Sequence, residues 1–342
     1  MRILQCILSR GFRGAERHVA ELATAQAARG HEVLLALRRD CAEEGRSILP
    51  HLGPGVRVAA LWPLLWRAQL RAVLRGFRPD VVHTHGGRAG KLLGGMAVGA
   101  PRLATMHLDY RAGWYRGHDL LVASTDRQRD MALAGGFAGR VERVDPWFLP
   151  HPRPPEARVA ALRAEMGAGP GDRLVLAVGQ LIPEKGMDRL VRAFRSVPEP
   201  RARLAVAGQG PQRAALEALA AGDARVRLLG FREDVRDLYH AADLFCSPSR
   251  YEPFGLVFLE ALDAGLPVVA AETDGAAAIL GGLTQSRLVA QGEDAAPLAQ
   301  ALSAMLDAPG NRPDLSGWSR DAALDRLEAL YRDLVSRAPR RP

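Results

Sequence analysis

The chain has 342 residues, 48% hydrophobic and 25% charged, a globular balance that excludes an extended disordered polymer or a collagen-like repeat. That length exceeds one ordinary hydrophobic core and suits two domains. The formal charge of +8 is uneven: residues 1–150 hold 22 Lys and Arg against 13 Asp and Glu, and residues 151–342 hold 24 against 25.

The basic first half points to an anionic partner: nucleic acid, a phosphorylated acceptor or a membrane surface. Coding bias toward arginine gives the same balance, since Lys91 and Lys185 are the only lysines. No apolar run approaches the roughly 18 residues of a membrane span, and Arg2–Leu8 lacks a signal peptide's cleavage site. Cys6, Cys41 and Cys246 are scattered, which suits neither a disulfide framework nor a zinc site. The expectation is a cytoplasmic protein.

In chain order, Arg2–Leu8 reads as a strand and Ala15–Arg29 as a helix stopped by Gly30. Strands at Val33–Leu37 and Val56–Ala60, a helix at Leu64–Phe77, and a strand at Asp80–Thr84 follow. A helix near Ala89–Val98 precedes strands at Arg102–Met106 and Asp119–Ala123 and a helix around Asp126–Ala134. Then Asp145–Glu156 carries five prolines in twelve residues, which no central strand or continuous helix accommodates. Alternation restarts with strand Arg173–Val178, helix Met187–Arg195, strand Arg203–Ala207 and helix Pro211–Ala220. Strand Arg225–Leu229, helix Asp234–His240, strand Asp243–Cys246, helix Gly255–Ala264 and strand Val268–Ala271 complete it. Such alternation predicts two parallel-sheet α/β domains, joined by a Pro-rich linker with a cleft between them.

Three turns in the second half place glycine directly after a strand: Gly179, the pair Gly208 and Gly210, and Gly230. Glycine there either lets backbone approach a ligand or simply closes a tight turn. A stronger constellation is Ser249–Glu260, where Glu252 and Glu260 flank a helix start at Gly255. Free N–H groups at a helix start suit a diphosphate, and flanking carboxylates suit paired hydroxyls. The same spacing also fits a Glu favouring the helix dipole and an exposed Glu beyond it.

The surroundings separate these readings. Gly179–Phe194, AGQGPQRAALEALA, LLGFREDVRDLYHAADLF and PSRYEPFGLVFLEALDAGLPVVA resemble, in order and spacing, the second domain of the retaining glycosyltransferases of family GT4. The loop Gly11–Glu16, PDVVHTHG and TMHLDY extend the resemblance through the first half, to about residues 1–290. The Glu252-Pro253-Phe254-Gly255 form is similar to members that build lipopolysaccharide cores and related cell-surface glycans.

The resemblance implies the GT-B fold: two Rossmann-like parallel-sheet domains facing each other across a cleft. Residues 1–146 would bind the acceptor, 147–170 form the linker with its following helix, and 171–318 bind a nucleotide-diphosphate sugar. Residues 319–342 would form a helix crossing back to the first domain. By the same resemblance, Glu260 binds the ribose, and Glu252 faces the transferred sugar and the charge developing at its anomeric centre. The N–H groups of Phe254, Gly255 and Leu256 meet the donor, and Lys185 neutralises the diphosphate. Gly14 lets the first loop pass close to the donor, His107 lies near the reacting sugar, and Arg232 and Val235 build the nucleobase pocket. Gln180 stands where members usually carry Arg. That removes a diphosphate cation, for which Arg10, Arg13 or Arg17 are the candidate substitutes. Arg13, His85 and Asp109 are acceptor-side candidates.

The implied reaction needs neither metal nor cofactor, and His83 with His85 at i,i+2 reads as a strand end, not a metal pair. Rival readings are a nucleotide-sugar epimerase of the same fold and a non-catalytic sugar-nucleotide-binding protein, the latter motivated by Gln180. No nucleic-acid motif accompanies the arginines, so no nucleic-acid partner is expected. Arg67, Arg71, Arg75 and Arg78 recur at helical spacing opposite Leu64, Leu65, Leu70, Val73 and Leu74, with Trp62 and Trp66 alongside. Such a segment either sits on anionic membrane, peripheral on its inner face, or packs on the sheet with a solvated Arg stripe.

Overall fold

The structure, a computed structural model, describes residues 1–43 and 45–338. The last four residues of the C-terminal segment expected at 319–342 therefore lie outside the described residues. The chain divides into two compact units, one of Met1–Trp147 with Trp318–Pro342 and one of Phe148–Gly317.

The first unit runs β1 (Arg2–Ile7), α1 (Gly14–Ala28), β2 (Glu32–Arg38), β3 (Val56–Leu61), α2 (Trp66–Phe77), β4 (Val81–His85) and α3 (Gly86–Gly94). It continues through β5 (Arg102–Thr105), β6 (Leu120–Ala123), α4 (Asp126–Ala134) and β7 (Arg140–Arg143). Its seven strands are all parallel, in the order β3-β2-β1-β4-β5-β6-β7. A parallel sheet covered on both faces asks for near-continuous apolar strands, and Ile3, Leu4, Cys6 and Ile7 of β1 are buried accordingly. Against that rule, Gln5, His83 and His85 are also buried, on the two central strands. The register pairs Gln5 with His83, and His85 lies two residues further on, so all three share one face of the sheet.

The second unit contains α5 (Glu156–Glu165), β8 (Arg173–Val178), α6 (Met187–Arg195), β9 (Ala202–Ala207), α7 (Arg213–Ala220), β10 (Val226–Gly230) and α8 (Val235–Ala241). Then come β11 (Leu244–Ser247), α9 (Leu256–Asp263), β12 (Val268–Ala271), α10 (Asp274–Leu280), β13 (Ser286–Val289) and α11 (Ala296–Met305). Its six parallel strands repeat the same winding, β10-β9-β8-β11-β12-β13. The last helix, α12 (Arg320–Arg337), belongs to the first unit, where Leu324, Leu327, Leu330 and Tyr331 are buried. In each unit the strand order reverses once, between β1 and β4 and between β8 and β11, and ligands of such sheets bind at the strand ends there.

Several elements depart from the sequence reading. The helix expected near Ala89–Val98 begins at Gly86 and stops at Gly94, because its glycines are packing contacts. A Cβ on Gly87 would lie 2.0 Å from the Trp114 ring, and one on Gly94 2.1 Å from the Arg116 carbonyl. Close approach of the 112–117 segment thus outweighs glycine's poor helix propensity. The helix expected from Leu64 begins at Trp66, after a 3₁₀ turn at Pro63–Leu65. Strand β7, with sequence RVER, has no apolar alternation, and α10, β13 and α11 extend the second unit past the expected pattern. Among the described residues, no helix is long and apolar enough to cross a membrane.

Candidate active site

In the second unit the site is built at the carboxyl ends of β8 and β11. The loop after β11 carries Glu252, and two sets of contacts hold it. From one side, the Arg250 and Tyr251 amides donate to the Glu184 carbonyl at 2.8 and 3.2 Å. The Arg250 guanidinium also reaches Asp188 (2.8 and 3.0 Å), Glu293 (2.8 and 2.6 Å) and the Pro183 carbonyl (2.8 Å). This clamp holds the Asp188 carboxyl down at about 2, chiefly through the Arg250 hydrogen bond. From the other side, the Gly275 amide donates to the Glu252 carbonyl at 3.0 Å. A Cβ on Gly275 would lie 2.0 Å from the Phe254 carbonyl, so only glycine fits beneath that loop.

These ties bring Lys185, in a 3₁₀ turn at Pro183–Lys185, against Glu252. Its Nζ donates to Glu252 Oε2 at 2.5 Å, and the carboxylate is 9% exposed. Gly255, at φ +88°, starts α9; a Cβ there would meet the Phe258 ring at 2.5 Å and Glu252 Cγ at 2.9 Å. The first amides of α9 are therefore presented beside a cation and a carboxylate, a ready anion site. Further along α9, the Tyr239 hydroxyl donates to Glu260 Oε2 at 3.2 Å, and Arg236 lies 4.0 Å from Oε1. Glu252, Lys185, Phe254, Gly255 and Leu256 thus converge, with Glu260 beside α8.

Arg232 and Val235 sit in the β10–α8 connection, Val235 as the first residue of α8. Arg232 binds Asp234 at 2.7 and 2.6 Å and also pairs with Glu165 of α5, which together push its pKa further up. Gln180 is half-buried in the turn after β8. Of the strand-end glycines, Gly208 and Gly210 face protein backbone. Added Cβ atoms would fall 1.8 Å from the Gly179 carbonyl and 2.5 Å from that of Leu181. At those two positions glycine serves strand-end packing.

In the first unit, the loop after β1 leaves the space above Gly14 open. The Glu16 carboxylate accepts from the Arg13 amide at 2.9 Å and fixes the start of α1. Each of the three candidate arginines already has an acidic partner: Arg10 pairs with Asp40, Arg13 with Glu43, and Arg17 of α1 with Glu21 at 3.1 Å. Asp109, after β5, lies 3.6 Å from Arg127. His107 and His85 meet directly, His107 Nε2 standing 3.2 Å from His85 Nδ1. His18 joins them edge-on to His107, with ring centroids 5.3 Å apart. Burial drives the pKa of His107 down to about 4 and holds those of His18, His83 and His85 well below the usual value. Among the described residues, no group of three or more His, Cys, Asp or Glu is arranged to hold a metal ion.

Sequence reading missed Arg236, Tyr239, Arg250 and Asp188 in the second unit, and Gln5, His18 and Tyr331 in the first. Arg250 lies inside a motif that was recognised, but its partners Asp188 and Glu293 are 62 and 43 residues away.

Two doubly wound parallel sheets on one chain, the second with a cationic helix-start site at its strand-order reversal, define the GT-B class. Residues 12–135 match the family described as Glycosyltransferase Family 4, and residues 172–308 match Glycosyl transferases group 1. A D-inositol 3-phosphate glycosyltransferase of Xylanimonas cellulosilytica is 31% identical over 391 aligned positions, covering 96% of this chain and 92% of that protein. D-inositol 3-phosphate glycosyltransferase 2 of Catenulispora acidiphila is 35% identical over 257 positions, which cover 64% of this chain and 60% of the relative's length. Among solved structures, Anabaena Alr3699/HepE in complex with UDP and glucose gives a TM-score of 0.76 at 19% identity. That match covers 98% of this chain and 95% of the other. The chain belongs to glycosyltransferase family 4.

Proposed function

We propose that this chain transfers a sugar, with retention of anomeric configuration, from a nucleotide-diphosphate sugar to a hydroxyl of a glycan or glycolipid acceptor. The observation that carries the proposal is the Lys185–Glu252 pair at the start of α9, with Glu260 further along that helix. An arriving diphosphate takes Lys185 and the α9 amides, which releases Glu252 toward the sugar. The bond from the anomeric carbon to the phosphate oxygen breaks, and the acceptor oxygen bonds on the same face. The acceptor's proton passes to the leaving phosphate. Preorganised N–H groups and an ammonium at the diphosphate supply the electrostatic stabilisation, so the reaction calls for no metal and proceeds in EDTA.

The relatives' names make inositol 3-phosphate one acceptor to try. The Glu252-Pro253-Phe254-Gly255 form makes a lipopolysaccharide-core or lipid-linked glycan the other. A thermal-shift screen of UDP-, GDP-, ADP- and TDP-sugars identifies the donor, since a ligand at 100 times its Kd adds about 2.7 kcal/mol. With that donor, Glu260→Ala weakens free-nucleotide binding by about 1–3 kcal/mol, whereas Glu252→Ala spares it and lowers turnover. Calorimetric affinity unchanged in Glu260→Ala removes the ribose role. Turnover without an acceptor would favour the epimerase, and nucleotide binding without any turnover the non-catalytic protein.

We further propose that the 3₁₀ turn preceding α2 rests on anionic membrane, peripheral on the inner face. Leu64 is 98% exposed, Leu65 and Trp62 are about half exposed (54% and 49%), and Arg67, Arg71, Arg75 and Arg78 follow.

A further inference from the structure

The segment that follows β13 grips the Glu252 loop of the second unit. Gln291 Nε2 donates to the Ser249 carbonyl and to the Glu272 carbonyl, each at 3.1 Å. Two residues on, Glu293 accepts from Arg250 at 2.8 and 2.6 Å. Ser249 opens the loop that carries Glu252, and Glu272 leads from β12 to Gly275, whose amide bonds the Glu252 carbonyl. Gln291 therefore ties together the two stretches of chain between which Glu252 is fixed. These bonds run in one direction only. Gln291 Oε1 accepts from Arg189 Nη1 at 3.1 Å, and a guanidinium only donates, just as a backbone carbonyl only accepts. A flipped amide would set Nε2 against a donor and Oε1 against two acceptors.

Arg189 is a costly anchor for this amide. It lies on α6, is 2% exposed, forms no ion pair among the described residues, and leaves its Nε buried without a partner. An apolar side chain in place of such a group is often neutral or stabilising, so stability alone does not account for it. Gln291 is exposed, and the guanidinium behind it is what sets its orientation. We infer that Arg189 and Gln291 are positioning residues for the transfer step: the buried guanidinium orients the Gln291 amide, which holds the Ser249 and Glu272 carbonyls and so sets Glu252. This rests on the reading that Glu252 faces the transferred sugar. In that reading the carboxylate leaves Lys185 when the donor arrives, so its backbone needs a hold that does not involve the carboxylate. The Gln291 tie is such a hold.

Gln291→Glu keeps the acceptor for Arg189 and removes both donors, which separates the two halves of the device. Its thermal midpoint should equal that of wild type or exceed it, because the buried guanidinium gains a carboxylate. Hydrogen exchange should quicken in residues 249–256 and 272–275 and stay unchanged in the rest of 148–317. With the identified donor, kcat falls roughly tenfold while free-nucleotide affinity is unchanged. Arg189→Met lowers kcat without lowering the midpoint, and Arg189→Lys, which still donates to Oε1, recovers most of the loss. Unchanged kcat in Gln291→Glu overturns the inference, whatever exchange does. So does a loss of kcat that comes with a lower midpoint and faster exchange throughout 148–317, the mark of support for the fold alone. A wild type that transfers nothing from any donor, with exchange in Gln291→Glu still quickened in those two segments only, would fail the transferase reading and leave the tie between the loops supported.

Discussion

At the scale of single residues, neutral buried histidines give this protein a definite acid lability. His118 is buried, donates from Nδ1 to the Tyr115 carbonyl at 3.2 Å and accepts from Thr84 at 2.9 Å; burial lowers its pKa to about 4. His107 reaches about 4 for the same reason, and His18, His83 and His85 shift the same way. Between the ordinary histidine value and the depressed one, the unfolded chain binds protons that the folded one refuses. Stability is therefore full above about pH 6.5 and falls as pH drops toward 4, by up to about 3 kcal/mol for His118 alone. Urea midpoints from pH 7 to pH 4 should fall steadily, with a shallower fall in His118→Gln. A flat profile would contradict the neutral cluster. Gln180 belongs to this scale as well. Arg10, Arg13 and Arg17 each pair with a carboxylate of their own unit, and we propose that none of them replaces the cation that Gln180 removes. Gln180→Arg should raise turnover, because a second positive charge at a poorly screened diphosphate favours its departure. A fall in turnover would mean that the position is already served.

Whole elements differ in how plainly the sequence announced them. Arg173–Val178, Met187–Arg195 and Val268–Ala271 were legible to the residue, because apolar runs there end at glycine, proline or charge. Helix α3 was misplaced because glycine signals a break locally while the 112–117 segment demands it spatially. The Glu252–Glu260 block was readable because its parts are adjacent in sequence. The clamp around Arg250 and the histidine row were not, since their partners lie 21 to 326 residues apart. No local pattern encodes such pairings. For α2, the structure buries Leu70, Leu74 and Phe77 against the sheet and leaves Leu64 and Leu65 out. The later turns of the helix are therefore core, and the membrane proposal concerns only the 3₁₀ turn at Pro63–Leu65 that precedes it. Leu64→Asp with Leu65→Asp should abolish sedimentation with phosphatidylglycerol vesicles and leave thermal stability within about 0.5 kcal/mol of wild type. Equal sedimentation of both proteins would end the membrane proposal.

Across the whole molecule, the chain leaves the first unit after Trp147 and re-enters it at Trp318. Stability of the first unit therefore depends on residues at the far end of the sequence. Tyr331→Phe deprives Gln26 and His83 of their shared hydroxyl and leaves two buried polar groups unsatisfied, which costs about 1–3 kcal/mol each. Hydrogen exchange should speed up in residues 1–147 and 318–338 and stay unchanged in 148–317. Faster exchange confined to 148–317 would show that α12 supports the other unit instead.

That return of the chain also sets an order in time. Residues 148–317 have all been synthesised before α12 exists, so the unit second in sequence is the first able to finish folding. His83 waits for Tyr331, 248 residues later, which at about 5–20 residues per second is roughly 12–50 s. Throughout that interval a polar row of Gln5, His83 and His85 stands without its closing helix. A nascent first unit thus spends almost all of that interval tethered to a second unit that is itself still being synthesised.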